Sequence, residues 1–275
     1  MALGETLSAG LVDAYLARIG HAGDRAPTRG NLAALQKAHL LSVPYENLNA
    51  YFNRPSTLAL DVLYDQIVTR RRGGYCFELN GLFAPLLRAL GYSVREFFAR
   101  WIDGEKDAVP VRRHRILRVD FQDGKPPLLA DAGMGQSAPL TPLRYAPGLQ
   151  ARPEAVYEIR REDGFGFVLV QHDAEGEKRL YSWDEAPQTP RDFDGTHYML
   201  THSEDSPFRK TLLVHLRTGE DAANSAFSAV DPQTGKEGFF FMRRRKRERE
   251  VLRLPREKLT VALQREFGIS YEPPA

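Results

Sequence analysis

The chain contains one cysteine, Cys76, and the residues around it favour a reactive thiol. It follows Gly73, Gly74 and Tyr75 and precedes a helical pattern of leucines, so we expect it at a helix N-terminus. Unpaired N–H groups and the positive end of the helix dipole favour a thiolate at that position. The two glycines permit a tight turn and the close approach of a substrate to the backbone. A lone cysteine is also often a small buried hydrophobic residue, so both interpretations stand at this point.

A cysteine nucleophile needs a general base, and the base needs a group that orients it. Of the seven histidines, His114 lies in a strand-like stretch over residues 113–119. Asp131 ends a later apolar stretch and begins a glycine-bearing loop. Two adjacent antiparallel strands can place these two side chains next to each other. The alternatives are an exposed strand histidine and an aspartate that caps a turn.

Composition excludes several classes of site and partner. A single cysteine rules out an intrachain disulfide and a thiolate-rich metal site. Neither His197 nor His202 has convincing carboxylate or thiol partners in the sequence, so we expect no metal. The net charge of +2 gives no reason to expect nucleic acid as a partner. No apolar run of about 18 residues and no signal-peptide pattern is visible, so we expect a cytoplasmic protein with no membrane partner.

One charged segment, residues 243–249, contrasts with this balanced composition. It reads Arg-Arg-Arg-Lys-Arg-Glu-Arg, with Glu250 directly after it. A run of this kind can bind anions or nucleic acid. It can equally form the solvated face of a strand or loop, and the neighbouring acidic residues favour that interpretation.

The elements that surround the cysteine are predicted to be helical. One helix covers residues 11–19, a second, capped by Asn31, ends before Pro44, and a third opens at Asp61. The helix near Cys76 carries apolar residues at i, i+3, i+4, i+7, i+8 and i+11, namely Leu79, Leu82, Phe83, Leu86, Leu87 and Leu90.

Beyond residue 91 the sequence predicts strands and then a mixed segment. Short stretches rich in aromatic and β-branched residues indicate a small antiparallel sheet or barrel. They are 92–101, 114–121, 127–130, 156–160, 165–171 and 178–183. From about residue 201, strand-like stretches at 212–216 and 239–242 precede a last helix from Pro255 to Phe267. The order of helical, β and mixed parts predicts an α+β fold.

The segment 72–80, Arg-Gly-Gly-Tyr-Cys-Phe-Glu-Leu-Asn, is similar to the active-site motif of the arylamine N-acetyltransferases. Four further segments resemble landmarks of that family: 43–49, 131–135, 201–208 and 266–269. They occur in the family's order and span nearly the whole chain, so the combination is far more specific than any one segment.

The resemblance implies a catalytic triad like that of cysteine proteases, formed here by Cys76, His114 and Asp131. It also implies three domains in sequence. These are an N-terminal helical bundle over 1–90, a central antiparallel β-barrel over 91–200 and a C-terminal α/β lid over 201–275.

The same resemblance implies an enzyme that uses acetyl-CoA as its co-substrate and holds no cofactor. The acetyl group is expected to pass to an arylamine, an arylhydrazine or an N-hydroxyarylamine by a ping-pong mechanism through a thioester on Cys76. Tyr45, Met134 and Gly135 are expected to bind the acceptor. An Arg72–Glu46 ion pair is expected beneath the site. The residues expected to support the site without doing chemistry are Arg72, Glu46, Gly73 and Gly74.

This sequence departs mildly from the family's common pattern. Tyr45 replaces a phenylalanine found in many relatives and adds a hydroxyl to the pocket. Ala132 and Met134 stand where many bacterial members have valine and phenylalanine. These changes leave the reaction intact and the preferred amine open.

Two alternatives to acetyl transfer are kept. The same triad serves transglutaminases and cysteine proteases, and relatives of the family act as amide synthases that release polyketides. The alternative from a different class is an anion- or nucleic-acid-binding protein that uses residues 243–249. Within an acetyltransferase, residues 243–245 can instead attract the phosphates of CoA. No sequence pattern indicates the oligomeric state.

Overall fold

The structure, a computed structural model, describes residues 5–104, 109–173, 176–231, 234–246 and 248–272. Its mixture of helices and antiparallel sheets confirms the predicted α+β class. Within the described residues, no helix has both the length and the apolar character needed to cross a bilayer.

The N-terminal part is helical apart from one two-residue strand. Its helices are α1 (Ala9–Arg18), α2 (Arg29–Ser42), α3 (Leu48–Tyr51), α4 (Leu60–Tyr64) and α5 (Cys76–Ala89). The strand β1 (Tyr45–Glu46) lies between α2 and α3, and a π-helical turn, Asp65–Thr69, continues α4. The apolar face predicted for the cysteine-bearing helix packs in the core of this part, because the leucines of α5 are buried.

The prediction that Asn31 caps α2 is wrong. Thr28 caps the helix, because its Oγ1 accepts a hydrogen bond from the backbone N–H of Asn31 at 3.2 Å. The Asn31 amide instead donates to the carbonyl oxygen of Ala26 at 2.9 Å. Asp61 lies in the first turn of α4, which begins one residue earlier, at Leu60.

The central part is an eight-stranded antiparallel sheet. Its strands are β2 (Ser93–Trp101), β3 (Arg112–Asp120), β4 (Leu128–Ala130), β5 (Leu143–Arg144), β6 (Gly148–Ala151), β7 (Val156–Glu162), β8 (Gly166–Asp173) and β9 (Gly176–Trp183). All six predicted strands are present. The sequence missed β5 and β6, because such short strands show little alternation of apolar and polar residues.

The eight strands curl into a nearly closed, barrel-like sheet in the order β5-β4-β3-β2-β9-β8-β7-β6. The side chain of Gln150 connects the two edge strands. Its Oε1 accepts from the backbone N–H of Arg144 at 2.7 Å, and its Nε2 donates to the Arg144 carbonyl at 2.9 Å. These bonds satisfy backbone groups that the edges would otherwise leave unpaired.

The C-terminal part is a five-stranded sheet covered by one helix. After α6 (Asp194–His202) and α7 (Pro207–Lys210) come β10 (Leu213–Gly219), β11 (Ala222–Val230), β12 (Glu237–Arg245), β13 (Glu248–Leu254) and α8 (Leu259–Phe267). The predicted last helix is confirmed, although its first turn, Arg256–Lys258, is a 3-10 helix. Gly268, with φ 68°, ends it in the left-handed conformation.

The strand order in this sheet is β1-β10-β11-β12-β13. The helical N-terminal part therefore contributes a strand to the C-terminal sheet, with Tyr45 opposite His215 and Glu46 opposite Val214. The division into three domains at residues 90 and 200 stays a prediction.

Candidate active site

Cys76 is the first residue of α5, as the sequence predicted. The side chain of Glu78 fixes this helix start, because its Oε2 accepts from the backbone N–H of Tyr75 at 2.9 Å. Its Oε1 accepts from the hydroxyl of Ser56 at 3.0 Å. Burial, reinforced by repulsion from Glu46, raises the pKa of Glu78 to about 7. Glu78 therefore supports the helix start.

His114 on β3 and Asp131 after β4 meet at the start of α5. His114 Nε2 lies 2.6 Å from Asp131 Oδ2, and both side chains are almost fully buried. The register of β3 and β4 pairs Leu117 with Ala130, so Asp131 lies diagonal to His114 rather than directly opposite.

The sulfur of Cys76 completes this group. His114 is also hydrogen bonded to Cys76, and the Sγ lies 3.5 Å from the carbonyl oxygen of Arg113. Because Asp131 occupies Nε2 of the ring, Nδ1 is the nitrogen left for the sulfur. The structure thus brings the three predicted residues into one contiguous chain.

The electrostatics of this chain favour a protonated imidazole. Burial by itself lowers the pKa of His114, but the Asp131 carboxylate and the Cys76 sulfur outweigh it and raise the pKa to about 10. A cation held between two acidic groups is the arrangement that a thiolate–imidazolium pair requires.

Asp131 is held by residues to which the sequence gave no role. Its Oδ1 accepts from Asn80 Nδ2 at 2.8 Å and from the backbone N–H of Gly133 at 2.9 Å. Asn80 also accepts from the backbone N–H of Ala132 at 2.9 Å. The signal for Asn80 was its position four residues after Cys76, which puts both side chains on one face of α5.

Because Gly133 has no side chain, the loop that follows Asp131 lies directly against α5. A Cβ at this position would meet the Cα of Cys76 at 2.7 Å and the amide of Asn80 at 2.9 Å. Gln36 on α2 holds the other side of the loop, since its Oε1 accepts from the backbone N–H of Asp131 at 3.1 Å. No pattern in the sequence pointed to Gln36.

The predicted contact between Arg72 and Glu46 is present beneath the site. Two guanidinium nitrogens donate to Glu46 Oε1 at 3.0 and 2.7 Å, and a third donates to Asn49 at 2.9 Å. Glu46 Oε2 accepts from the backbone N–H of Leu48 at 2.8 Å. The pair thus ties the segment before Cys76 to the segment that carries Tyr45.

Gly73 and Gly74 are needed for a different reason from the one predicted. A Cβ on Gly73 would meet the carbonyl oxygen of Pro44 at 1.8 Å, and one on Gly74 would meet Glu78 Oε2 at 2.8 Å. The chain's own backbone and capping side chain therefore approach these glycines closely, and the approach of a substrate stays a prediction.

A cavity of about 620 Å³ adjoins the sulfur. Cys76 is 3% exposed, yet it lines this cavity together with His114. The three residues predicted to bind an acceptor, Tyr45, Met134 and Gly135, line it as well. Burial and the nearby Cys76 raise the pKa of Tyr45, so its hydroxyl stays protonated. The thiol is thus enclosed by the fold and still reachable.

A second, wider cleft of about 1140 Å³ continues from this cavity. The two spaces share Gln136, Ser137 and Lys178 as lining residues. Six cationic side chains line the cleft: Lys178, Arg217, Arg244, Arg245, Lys246 and Arg249. Five carboxylates, those of Glu154, Asp173, Glu220, Asp221 and Glu248, line it as well. Where Arg217, Arg244 and Arg249 lie near one another, the cleft can accept an anionic ligand group next to the cysteine site.

The basic segment 243–249 does not form a single surface. Arg244 lines the cleft, and its pKa is lowered by burial and then by Arg217 and Arg249. Arg243 instead pairs with Glu250 at 3.5 Å and Glu266 at 3.3 Å. Arg247 lies outside the described residues.

The histidines weighed as metal ligands have structural partners. His197 Nδ1 lies 2.5 Å from the Tyr75 hydroxyl, and the two rings stack with centroids 5.9 Å apart. The His202 ring stacks on Tyr198 at 4.1 Å.

One group elsewhere among the described residues has the geometry of a metal site: Glu158, His172 and Glu177 have ligand atoms within 4.8 Å of one another. Arg160 already pairs with both carboxylates, at 3.5 and 3.0 Å. Arg160 therefore neutralises part of the negative charge of this cluster, and the absence of a metal stays a prediction.

The chain is similar to known proteins over most of its length. A model of the N-acetyltransferase family matches residues 30–272. The arylamine N-acetyltransferase of Escherichia coli is 33% identical over 212 residues, which cover 76% of this chain and 74% of that protein.

Solved structures agree with this match. The arylamine N-acetyltransferase from Salmonella typhimurium has a TM-score of 0.86 at 29% identity, covering 97% of this chain and 93% of that one. The Mycobacterium marinum arylamine N-acetyltransferase in complex with CoA has a TM-score of 0.83 at 28% identity, covering 94% and 93%. The landmarks of the sequence, the fold and these similarities agree: the chain belongs to the arylamine N-acetyltransferase family of transferases.

Proposed function

We propose that this protein transfers an acetyl group from acetyl-CoA to aromatic amines, by way of an acetyl thioester on Cys76. The observation that carries the proposal is the contiguous chain of Cys76, His114 and Asp131 at the edge of a reachable cavity. Arylhydrazines and N-hydroxyarylamines present a similar nucleophilic nitrogen or oxygen, and we include them as acceptors.

In the first half-reaction the thiolate of Cys76 attacks the thioester carbonyl of acetyl-CoA. The bond from the acetyl carbon to the CoA sulfur breaks, and the imidazolium of His114 gives its proton to the departing CoA. Asp131 accepts a hydrogen bond from Nε2–H throughout, which fixes the tautomer and orientation of the ring.

In the second half-reaction the amine nitrogen attacks the acetyl group on Cys76. Neutral His114 takes the proton that the nitrogen loses, and the bond from the acetyl carbon to Cys76 Sγ breaks. The thiolate and the imidazolium are thereby restored, so the cycle needs no further reactant.

Intact-protein mass spectrometry tests the central step. Acetyl-CoA alone is expected to add one acetyl group to the protein, and aniline is expected to remove it as acetanilide. Cys76→Ala is expected to gain none. Full amine acetylation by that variant would refute the scheme.

We infer that the cationic cleft receives the phosphates of CoA while its thioester reaches Cys76. The support is the continuity of the cleft with the cavity and the position of Arg244 on its wall. Of the residues 243–245 expected to attract these phosphates, Arg243 faces carboxylates instead. The proposal therefore moves to Arg244 and Arg217.

A matched pair of variants tests the cleft. Arg244→Gln is expected to raise the KM for acetyl-CoA about tenfold through the loss of a charge-assisted contact. Arg243→Gln, the neighbouring residue outside the cleft, is expected to change it little. Equal effects of the two variants would contradict the assignment and point to a general charge effect.

The alternatives make different predictions for the same protein. An amide synthase would take a long acyl chain from a carrier protein and form little acetyl-cysteine from acetyl-CoA. A nucleic-acid-binding protein would show an affinity for DNA that falls steeply with salt. An amide synthase would use the same cysteine site, so the acetyl-cysteine experiment separates it from acetyl transfer, and the similarity to arylamine N-acetyltransferases favours acetyl transfer. Among the described residues, no observation comparable with that site supports nucleic-acid binding. A cytoplasmic location stays part of the proposal.

A further inference from the structure

One buried glutamine holds both ends of the loop that follows β4. Gln36 lies on α2 and is fully buried. Its Oε1 accepts from the backbone N–H of Asp131 at 3.1 Å, and its Nε2 donates to the carbonyl oxygen of Pro139 at 2.8 Å. The loop 131–139 therefore begins and ends on a single amide group.

The two partners fix the orientation of this amide. A backbone N–H can only donate and a carbonyl oxygen can only accept, so exchanging the oxygen and nitrogen of Gln36 would break both bonds. Two buried backbone groups would then be unpaired, which costs free energy. The position therefore requires an acceptor and a donor on one side chain.

The loop between the two bonds carries residues of the candidate active site. Asp131 at its start is hydrogen bonded to His114, and residues 133–137 line the cavity next to Cys76. A displacement of the loop would therefore move the orienting carboxylate, the cavity wall or both.

Two other side chains each hold one part of this loop. Asn80 donates to Asp131 Oδ1 at 2.8 Å, at the loop start, and the Tyr157 hydroxyl donates to the carbonyl oxygen of Ser137 at 3.3 Å, near its end. Gln36 contacts both ends and is not among the described residues that line the cavity. Its influence on the reaction must therefore pass through the loop.

We propose that Gln36 is a positioning residue for acetyl transfer, which holds the Asp131 carboxylate and the loop wall of the cavity in place together. This inference rests on the proposed function. The bond at the loop start keeps Asp131 against His114, on which acetylation of Cys76 depends. The bond at the loop end keeps the cavity wall in place, on which amine binding depends.

Gln36→Glu separates the two bonds by pH. The protonated carboxyl can donate to Pro139 and accept from Asp131, as the amide does, whereas the ionised one can only accept. Burial raises the pKa of such a carboxyl, and so do the carboxylates of Asp131 and of Glu154, which accepts from the backbone N–H of Leu140 beside Pro139. The loop end is therefore expected to lose its bond as the pH rises.

The decay of preformed acetyl-enzyme supplies the readout. It is followed by rapid quench over a series of aniline concentrations, and the variant is compared with the wild type at each pH from about 5.5 to about 9. The half-saturating aniline concentration of Gln36→Glu is expected to match the wild type at the low end and to be about tenfold higher at the high end. The rate of acetyl-enzyme formation should change far less.

Gln36→Met, which loses both bonds, should impair both steps at every pH. A half-saturating concentration does not depend on the fraction of protein that is folded, so a loss of stability alone does not change it. Because Gln36→Glu keeps both bonds at low pH, the test stays decisive should Gln36→Met fail to fold.

Gln150 supplies a matched control. Its buried amide also accepts from a backbone N–H and donates to a carbonyl oxygen, both of Arg144, at 2.7 and 2.9 Å. It is not among the described residues that line the cavity. Gln150→Glu is expected to lose the same kind of bond as the pH rises, with no change in the half-saturating aniline concentration.

Two results would overturn the inference. The first is a half-saturating aniline concentration for Gln36→Glu that follows the wild type at every pH. The second is an equal rise for Gln150→Glu, which would assign the effect to a general loss of buried hydrogen bonds. A wild-type protein that forms no acetyl-cysteine would instead remove the proposed function, and that result is recognised before any aniline is added.

Discussion

The imidazole of His114 is confined on several sides by neighbouring side chains. Its ring centroid lies 5.7 Å from that of Trp101 and 4.9 Å from that of Tyr181, while Asp131 and Cys76 occupy its nitrogens. Confinement of this kind fixes the rotamer of a base before substrate arrives. At the scale of single residues, function therefore depends on how firmly Asp131 holds this ring.

Asp131→Asn tests that dependence. The amide removes the negative charge that keeps His114 protonated, so the pKa of His114 is expected to fall from about 10. An imidazolium persists below its pKa, hence the ring is expected to lose its proton at a lower pH in the variant. We expect kcat/KM to fall about a thousandfold, as for other triads that lose the orienting carboxylate. Nitrogen NMR titration of the ring and steady-state kinetics measure the two effects.

Asp123→Asn is the control for this experiment, because Asp123 is a partly exposed carboxylate that pairs with Arg29 at 2.6 Å and does not line the cavity. It is expected to leave both measurements unchanged. A His114 titration that is the same in Asp131→Asn and in the wild type would contradict the proposed electrostatics.

The sequence identified reacting groups better than the groups that hold them. Residue types left alternatives open for Cys76, His114 and Asp131, and the resemblance to the family's motifs made them the predicted triad. Asn80 and Gln36 were missed, because a buried amide gains its role only from the carbonyls and N–H groups that the fold brings to it. Their partners are 51 and 95 residues away in the chain.

At the scale of elements, the start of α5 determines where the sulfur stands. Glu78 holds that start through the backbone N–H of Tyr75 and the hydroxyl of Ser56. Its buried position raises the pKa of the carboxyl to about 7, from a usual value of 4.5. The helix start is thus stabilised by a group that titrates near neutral pH.

Glu78→Gln is expected to change how stability depends on pH. A carboxyl whose pKa is raised by folding adds stability that is complete below about pH 4.5 and is lost as pH rises through about 7. Glutamine does not titrate; its oxygen can still accept from the backbone N–H of Tyr75, while its NH2 group can donate to the Ser56 hydroxyl oxygen in place of the bond that Ser56 now donates. Between these pH values, the free energy of unfolding of the variant should therefore rise relative to that of the wild type by up to about 3 kcal/mol. Urea unfolding at several pH values measures the difference.

Glu220→Gln is the matched control for the pH series. This carboxylate is exposed and paired with Lys37, which lowers its pKa, so it stays ionised across the same range. The difference in free energy of unfolding between Glu220→Gln and the wild type should therefore not change with pH. A pH-independent difference for Glu78→Gln too would show that folding leaves the pKa of Glu78 at its usual value, which would contradict the effect of burial described here.

Helices and strands were predicted correctly where the sequence itself has a helical or strand-like pattern. A strand was missed where only pairing with neighbouring strands makes the segment extended. Helix α5 was predicted from the spacing of its leucines, and the strands β2, β8 and β9 from their aromatic and β-branched residues. β11, with the sequence Ala-Ala-Asn-Ser-Ala-Phe-Ser-Ala-Val, was missed because small residues have low strand propensity. It is a strand because β10 and β12 pair with it on both sides.

At the scale of the whole molecule, the helical part, the barrel-like sheet and the C-terminal sheet all line the cavity. Their apolar clusters are shared between parts: Leu117 of β3 packs with the helices, Leu40 of α2 with the barrel-like sheet, and Leu48 of α3 with the C-terminal sheet. Cys76 comes from the helical part, His114 from the barrel-like sheet, and further cavity-lining residues from the C-terminal sheet. The site therefore depends on the contacts that hold the C-terminal sheet against the other two parts.

Asn47 is the side chain that makes this connection most directly. Its amide nitrogen donates to the carbonyls of Phe208 at 2.9 Å and Thr211 at 2.8 Å, and its oxygen accepts from the N–H of Leu213 at 2.8 Å. The side chain is buried, and Phe208, Thr211 and Leu213 all line the cavity. One residue of the N-terminal part thus fastens the cavity wall that follows α6.

Asn47→Ala is expected to lower the free energy of unfolding by about 2–4 kcal/mol, because it leaves three buried backbone groups without partners. The loosened wall should also raise the KM for the amine and speed hydrogen exchange in β10 and β11. Asn31→Ala, which removes an exposed amide with one bond to Ala26, is expected to cost far less. If the two variants lost similar stability and Asn47→Ala kept its KM, the C-terminal sheet would be held by its apolar core alone, and Asn47 would have no part in shaping the cavity.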